Sequence, residues 1–267
     1  MKHRCDACDA DEPIEIEVLW RFTDTPISVC GRCGFVYVVE RRSSRAVADA
    51  WDAVFGEGYT AAWPMVAARH EYVARIIKDR LNPEPRKTLL DIGCGEGRFL
   101  HKMRNWINVV GLDPSADNVS SVEGYGMKAV CGTADDADPI PADIATILWT
   151  LENTSNPRAM LAYARRCLKP GGRLVIATGS RVLVPFKKPL SSYIPATAGD
   201  LHPTRWSPKS LRNALMASGL QVEWKNSYQD SDWLVVIAKA GDEKSDIHVD
   251  DPKAVISHFE KWAELFP

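Results

Sequence analysis

The chain has 267 residues, 45% of them hydrophobic, which is enough for a sizeable core in one large domain with an appendage. Its formal net charge is -2 with acids and bases interspersed, which excludes the one-signed field of a general nucleic-acid binder. The amino terminus, MKHRCDACDADE, has no apolar stretch of signal-peptide type, and no run of about eighteen apolar residues occurs, so the chain reads as cytoplasmic with no membrane contact.

Residues 1–41 hold two C-x-x-C pairs, Cys5 with Cys8 and Cys30 with Cys33. In a chain without an export signal the thiols are expected to be reduced, so the pairs point to metal before disulfide. Four soft ligands suit tetrahedral zinc; an iron–sulfur cluster and a redox-active dithiol are the alternatives. With all four positions filled by protein, the metal is expected to be structural. Gly34 follows the second pair, where backbone amides must turn towards thiolate. EIEVLWRF and FVYVVE are predicted to be short strands, which makes 1–41 a small zinc-binding module. The other three cysteines, Cys94, Cys131 and Cys167, stand alone in apolar segments and are expected to be small buried hydrophobes.

Residues 42–85 read as a helical cap or linker, broken at Gly56 to Tyr59 and again at Pro64. Val66, Tyr72 or Val73, Ile76 and Ile77 lie on one helical face, and NPEPRK ends the helix. From 86 to 240, LLDIG, NVVGLD, MKAVCG, IATILWT, RLVIAT, LQVEW and WLVVIAK alternate with segments of helical length. That alternation predicts an α/β fold with a mainly parallel seven-stranded sheet covered on both faces. Asn156-Pro157 and Ser207-Pro208 are predicted helix starts, and KPGG a turn. Residues 241–267 read as a polar linker, GDEKSDIHVDDP, and an amphipathic helix with Val255, Phe259, Trp262 and Phe266 on one face. That face is expected to dock on its own domain or to form a homodimer contact.

In TLLDIGCGEGRFL a strand ends in an acid and runs through Gly93, Gly95 and Gly97 into a helix. Glycines let the chain turn sharply and let a ligand touch the backbone. The acid directly before the turn disfavours a pyrophosphate and favours an ammonium group. Asp113, at the end of the next strand in NVVGLDPS, is placed to accept hydrogen bonds from both ribose hydroxyls. A ribose beside a cation describes S-adenosylmethionine.

On these residues the chain resembles the class I S-adenosylmethionine-dependent methyltransferases, whose fold is Rossmann-like: DIGCGEG resembles their first motif, GLDPS their ribose-binding acid, and LKPGGRLVIAT a later turn and strand. The resemblance covers roughly 86–240. It implies that Asp91, Gly93, Cys94 and Gly95 surround the methionine end, that Gly97 belongs to the same cofactor-binding turn and that Asp113 holds the ribose. It implies that Thr133, Ala134 and Asp135 meet the adenine, with Asp136 an alternative for its amino group. LWTLENTSNP resembles the segment after the fourth strand in small-molecule methyltransferases, with Trp149 and Asn153 where histidines are common. The D/N-P-P-Y/F sequence of base-modifying amino methyltransferases is missing, which lowers a nucleic-acid acceptor.

A zinc module ahead of this domain resembles the zinc-containing methyltransferases of sugar and polysaccharide biosynthesis. The resemblance implies a small-molecule acceptor, a sugar or nucleotide sugar, with His202 and Tyr59 as acid–base residues. The competing readings are an RNA methyltransferase with a zinc reader module and a non-catalytic binding or assembly protein.

Overall fold

The computed structural model describes residues 2–56, 63–179, 189–192, 194, 202–227, 233–242 and 245–265. Two sheets organise it. The larger consists of β4 (Thr88–Ile92), β5 (Asn108–Asp113), β6 (Lys128–Cys131), β7 (Ala142–Leu148), β8 (Leu168–Thr178), β10 (Leu220–Lys225) and β11 (Leu234–Ala240), in the order β10-β11-β8-β7-β4-β5-β6. β4 to β8 pair in parallel, whereas β11 joins β8 and β10 joins β11 antiparallel.

Strands buried on both sides need apolar residues on both faces, and β4 supplies them in alternation. Leu89 packs with Val73, Ile77, Phe99 and Leu100, while its neighbour Leu90 packs with Leu161, Tyr163 and Leu211 on the other face. The first face is covered by α2 (Trp63–Leu81) and α3 (Arg98–Met103), the second by α5 (Pro157–Cys167) and α6 (Pro208–Ala217). α4 (Ala116–Gly124) links β5 to β6, and Ser115 caps it by accepting from the Asn118 amide. Pro64 does not break the chain into two helices. It occupies the first turn of α2, where a missing amide hydrogen leaves no bond unmade.

The chain leaves β4 towards β5 and β6 on one side and returns to β7 and β8 on the other. The order therefore reverses beside β4, opening a crevice at the carboxyl ends of β4 and β7.

The smaller antiparallel sheet is β1 (Pro13–Glu15), β2 (Ile27–Cys30), β3 (Val36–Val38) and β9 (Thr204–Arg205). EIEVLWRF is not a strand throughout: β1 ends at Glu15 and Glu17–Arg21 forms a 3-10 turn. Ile16 and Leu19 are the residues it buries, and that spacing of three suits a turn rather than a pleat. FVYVVE is paired only over Val36–Val38.

α1 (Ser44–Gly56) follows the smaller sheet, and α7 (Pro252–Leu265) closes the chain. Val255, Phe259, Trp262 and Ala263 of α7 pack against Ile16, Leu19, Ile27, Val29, Val36 and Val38. The apolar face expected as a homodimer contact is thus buried within the chain, with Trp262 at 0% exposure; Phe266 lies outside the described residues. The polar segment before α7 is held along α6. Asn213 donates to the His248 carbonyl at 2.7 Å and accepts from its amide at 2.9 Å, and the Asp250 amide donates to Cys33 O at 3.0 Å. Among the described residues no helix is long and apolar enough to cross a membrane.

Cys94 and Cys167 are buried, but Cys131 is exposed. β6 is an edge strand, so Cys131 lacks the cover that the central strands receive, as does its neighbour Val130.

Candidate functional site

At the carboxyl end of β4 the backbone turns through Gly93, with φ of 75°, in the left-handed region where a side chain is strained. A Cβ at Gly93 would also collide with the Thr150 methyl group. Gly95, with φ of 53°, has open space where its Cβ would stand, so a ligand can approach its backbone. Gly97 precedes α3. Cys94 lies within the turn; its sulfur packs towards Gly111 and its amide, like that of Gly93, donates to Leu112 O.

Two acids flank this turn. Asp113 is 6% exposed and ends β5. Its Oδ2 accepts from the Gly95 amide at 2.8 Å, and its Oδ1 accepts from the Ser115 amide and the Asn118 side chain, each at 3.0 Å. Asp91 is 3% exposed and accepts a 2.6 Å bond from the Thr146 hydroxyl. Burial pushes its carboxyl up to about 7; the Thr146 bond opposes the rise and the nearby Asp113 charge adds to it. The pair gives the crevice a firmly held carboxylate and a second carboxyl poised between its two forms.

After β6, Asp136 folds back on its own loop and accepts from the Thr133 amide and hydroxyl, both at 2.8 Å. Those bonds hold its carboxyl below the usual range. Ala134 is buried beside them. Asp135 faces another way: it accepts from the Ser44 hydroxyl of α1 at 2.6 Å and from the Asn156 side-chain Nδ2 at 3.2 Å. Arg45 reaches the Pro114 carbonyl at 3.1 Å. The start of α1 therefore touches the loops after β5, β6 and β7.

The loop after β7 begins at Trp149, a non-glycine residue with φ of 50° whose amide donates to Ala177 O at 2.7 Å. Such a conformation persists only when its surroundings enforce it. The Arg69 guanidinium stacks 5.0 Å from the Trp149 ring, and the His70 ring lies 6.5 Å from it and 5.5 Å from Phe99. Burial, with Lys102, Arg98 and Arg69 nearby, pushes His70 down to about 4, so it is neutral at physiological pH. Glu152 is buried and accepts from the Thr178 hydroxyl at 2.8 Å. Asn153 donates to the Trp149 carbonyl at 2.9 Å, while its Oδ1 is buried without a hydrogen-bond partner among the described residues. Arg69, His70, Ser44 and Glu152 escape motif reading. Only the sequence LWTLENTSNP hinted at the last.

His202 lies two residues before Thr204, whose hydroxyl donates to Leu151 O at 3.4 Å in the loop after β7. Its carbonyl accepts from Arg205 at 3.1 Å. Tyr59 lies outside the described residues.

The sulfurs of Cys5, Cys8, Cys30 and Cys33 all lie within 4.8 Å of one another. Cys5 to Cys33 and Cys8 to Cys30 are each 3.6 Å, close to the roughly 3.8 Å edge of a sulfur tetrahedron around zinc. Hydrogen bonds from Cys33 and Cys5 hold the Cys30 thiol low, whereas hydrogen bonding with Cys30 and burial drive Cys5 far up. The donor set fits a structural zinc ion. Gly34, at φ of 76°, follows the second pair because the Asp250 carbonyl occupies the space a Cβ would need.

The crevice, the glycine turn and the strand-end acids all fall within one methyltransferase domain. Residues 65–224 match a family model described as a methyltransferase domain, and the chain belongs to that family. A ubiquinone biosynthesis O-methyltransferase of Bradyrhizobium sp. (strain ORS 278) is 31% identical over 129 residues, covering 45% of this chain and 48% of that protein. A ubiquinone/menaquinone biosynthesis C-methyltransferase of Acidiphilium cryptum is 27% identical over 174 residues, covering 59% of this chain and 68% of that protein. The chain spans about half the length of the first of these. In fold it is similar to a 1,6-didemethyltoxoflavin N1-methyltransferase of Burkholderia thailandensis, solved with S-adenosylhomocysteine, with a TM-score of 0.58 and 16% identity over 86% of this chain and 100% of that one.

Proposed function

We propose that the protein transfers the methyl group of S-adenosylmethionine to a small-molecule acceptor in the crevice beside β4 and β7. The observation that carries this is Asp113, buried at the end of β5 and tied to the Gly95 amide, with an open approach to the Gly95 backbone. Asp91 and the Gly93–Gly97 turn would meet the amino-acid end of the cofactor, Asp113 the ribose, and Thr133 to Asp135 the adenine side. The bound cofactor supplies a methyl group already activated as a sulfonium, so the protein's task is alignment and exclusion of water.

The cofactor would supply its methyl group to an acceptor atom held in line with it, and a base of this chain would take the acceptor's proton. His202 is the base we favour, because its segment crosses the loop after β7; Tyr59 is the alternative. Asn153 Oδ1, a buried acceptor, would accept from an acceptor hydroxyl. His70, held neutral, would line the acceptor side without charge.

The zinc module ahead of the catalytic domain supports a sugar or nucleotide sugar as acceptor, and the names of the similar quinone-pathway enzymes support a ring hydroxyl or ring carbon. Domains of 1–41, 42–85, 86–240 and 241–267 remain the division we favour, with zinc on Cys5, Cys8, Cys30 and Cys33. The test is incubation with methyl-labelled S-adenosylmethionine against nucleotide-sugar, quinone-precursor and RNA pools. Label in a small molecule supports the reading, and label only in RNA overturns it.

A further inference from the structure

Asp6 lies inside the first cysteine pair, and Arg41 follows the smaller sheet. Arg41 Nη2 meets Asp6 Oδ2 at 2.6 Å, with the two side chains 1% and 4% exposed. The same guanidinium donates from Nε to Val38 O at 2.7 Å and from Nη1 to Ser155 O at 2.9 Å. Ser155, 3% exposed, shares a 2.8 Å hydrogen bond with the Ser44 hydroxyl, and Ser44 donates to Asp135 at 2.6 Å. Asn156, next to Ser155, donates to the other oxygen of Asp135. On the opposite side Arg158 of α5 donates to the carbonyls of Asp6 and Cys5 at 3.0 and 3.3 Å and to Asp9 at 2.9 Å. An unbroken run of short polar contacts thus leads from the first cysteine pair through Arg41 to the loop carrying Asp135.

A buried ion pair is weak evidence for stability, because desolvation offsets its attraction. Its better-attested use is to fix one arrangement, and a rigid planar cation reaching three acceptors does that well. The arrangement fixed here is the position of the cysteine loop relative to Ser155 and Asp135. Without metal, the first cysteine pair has no centre to fold around. Asp6 would then leave Arg41 buried with an unmet charge, and the Ser155–Ser44–Asp135 contacts would loosen.

We infer that Arg41 is a positioning residue through which the four-cysteine metal module sets the adenine-side wall of the cofactor site, so that metal and cofactor bind cooperatively. This rests on the assignment of Thr133 to Asp135 to the adenine side. Coupling between two sites is reciprocal: whatever factor the metal contributes to cofactor affinity, the cofactor contributes to metal affinity.

The experiment measures binding, not turnover. Calorimetry with S-adenosylhomocysteine is run on full-length zinc-loaded protein, on Arg41→Met, Arg41→Lys and Ser44→Ala, and on the double variant, with metal content and circular dichroism recorded for each. Zinc affinity is measured against a competing chelator with and without S-adenosylhomocysteine. Arg41→Met is expected to keep its fold and metal but bind S-adenosylhomocysteine about five- to fiftyfold more weakly, a usual range for coupled sites. Arg41→Lys should recover part of that, and the double variant should lose little more than the worse single one. S-adenosylhomocysteine should raise zinc affinity in the wild type and not in Arg41→Met. Wild-type binding by a folded, zinc-loaded Arg41→Met overturns the inference, as does zinc affinity indifferent to S-adenosylhomocysteine. If Arg41→Met does not fold, Ser44→Ala decides by the same two readouts. Failure of the wild type to bind S-adenosylhomocysteine at all overturns the cofactor assignment itself, and the coupling with it.

Discussion

Asp113 Oδ2 accepts the Gly95 amide hydrogen at 2.8 Å, tying the end of β5 to the turn that leaves β4. The bond sets the angle between the glycine turn and the strand-end carboxylate, so the two can address one ligand. Asp113→Ala removes both the turn's support and a charged acceptor. Affinity for S-adenosylmethionine is expected to fall by about 1.5–3 kcal/mol, roughly ten- to hundredfold. Unchanged affinity by calorimetry would remove Asp113 from the ribose.

Asp91 predicts a pH dependence. Its carboxyl, raised to about 7, is protonated below that pH and charged above it. A cationic ligand prefers the charged form, so affinity should be full above about pH 8 and fall roughly tenfold per unit below 7. Asp91→Asn should flatten the profile. Titrations between pH 5.5 and 8.5 check this, and a flat wild-type profile contradicts it.

Metal removal is expected to act first on the smaller sheet. Cys30→Ser with Cys33→Ser should abolish binding of about one zinc ion per chain and raise hydrogen exchange over 2–41 and α7 before the larger sheet responds. Metal analysis and exchange mass spectrometry read both. Full zinc retention in the double variant, or uniform loosening, refutes the prediction.

Trp262 is fully buried against the smaller sheet. Trp262→Ala should therefore destabilise the monomer by about 3–5 kcal/mol without altering its mass in solution. Urea unfolding with sedimentation tests this; unchanged stability together with a change of oligomeric state would return the helix face to an intermolecular role.

His202→Ala should lower turnover by a factor of about a hundred to ten thousand once an acceptor is in hand, with cofactor affinity intact. A helix-capping or surface histidine would shift stability slightly and rate hardly at all. Near-native turnover transfers the role to Tyr59.

Sequence by itself determined the features whose physics is local in the chain. The run from Asp91 to Gly97 is one continuous strand end and turn, Asp113 ends one strand, and each cysteine pair spans only four residues, so each could be read from neighbouring residues. The alternation of apolar strands with helical segments likewise implied the larger sheet. Tertiary structure alone decided the rest. Cys131 sits in as apolar a segment as Cys94, and only the strand order leaves it at an edge. Thr204 and Arg205 carry no strand signal until β3 offers its free side. The amphipathic pattern of α7 says that a face is buried but not against what, and most of the partner comes from the smaller sheet and the 3-10 turn between its first two strands, far earlier in the chain. Arg41, Ser44, Arg69 and His70 gain their meaning only where distant segments meet, because a charge or a hydroxyl acquires a role from the groups that desolvate and bond it.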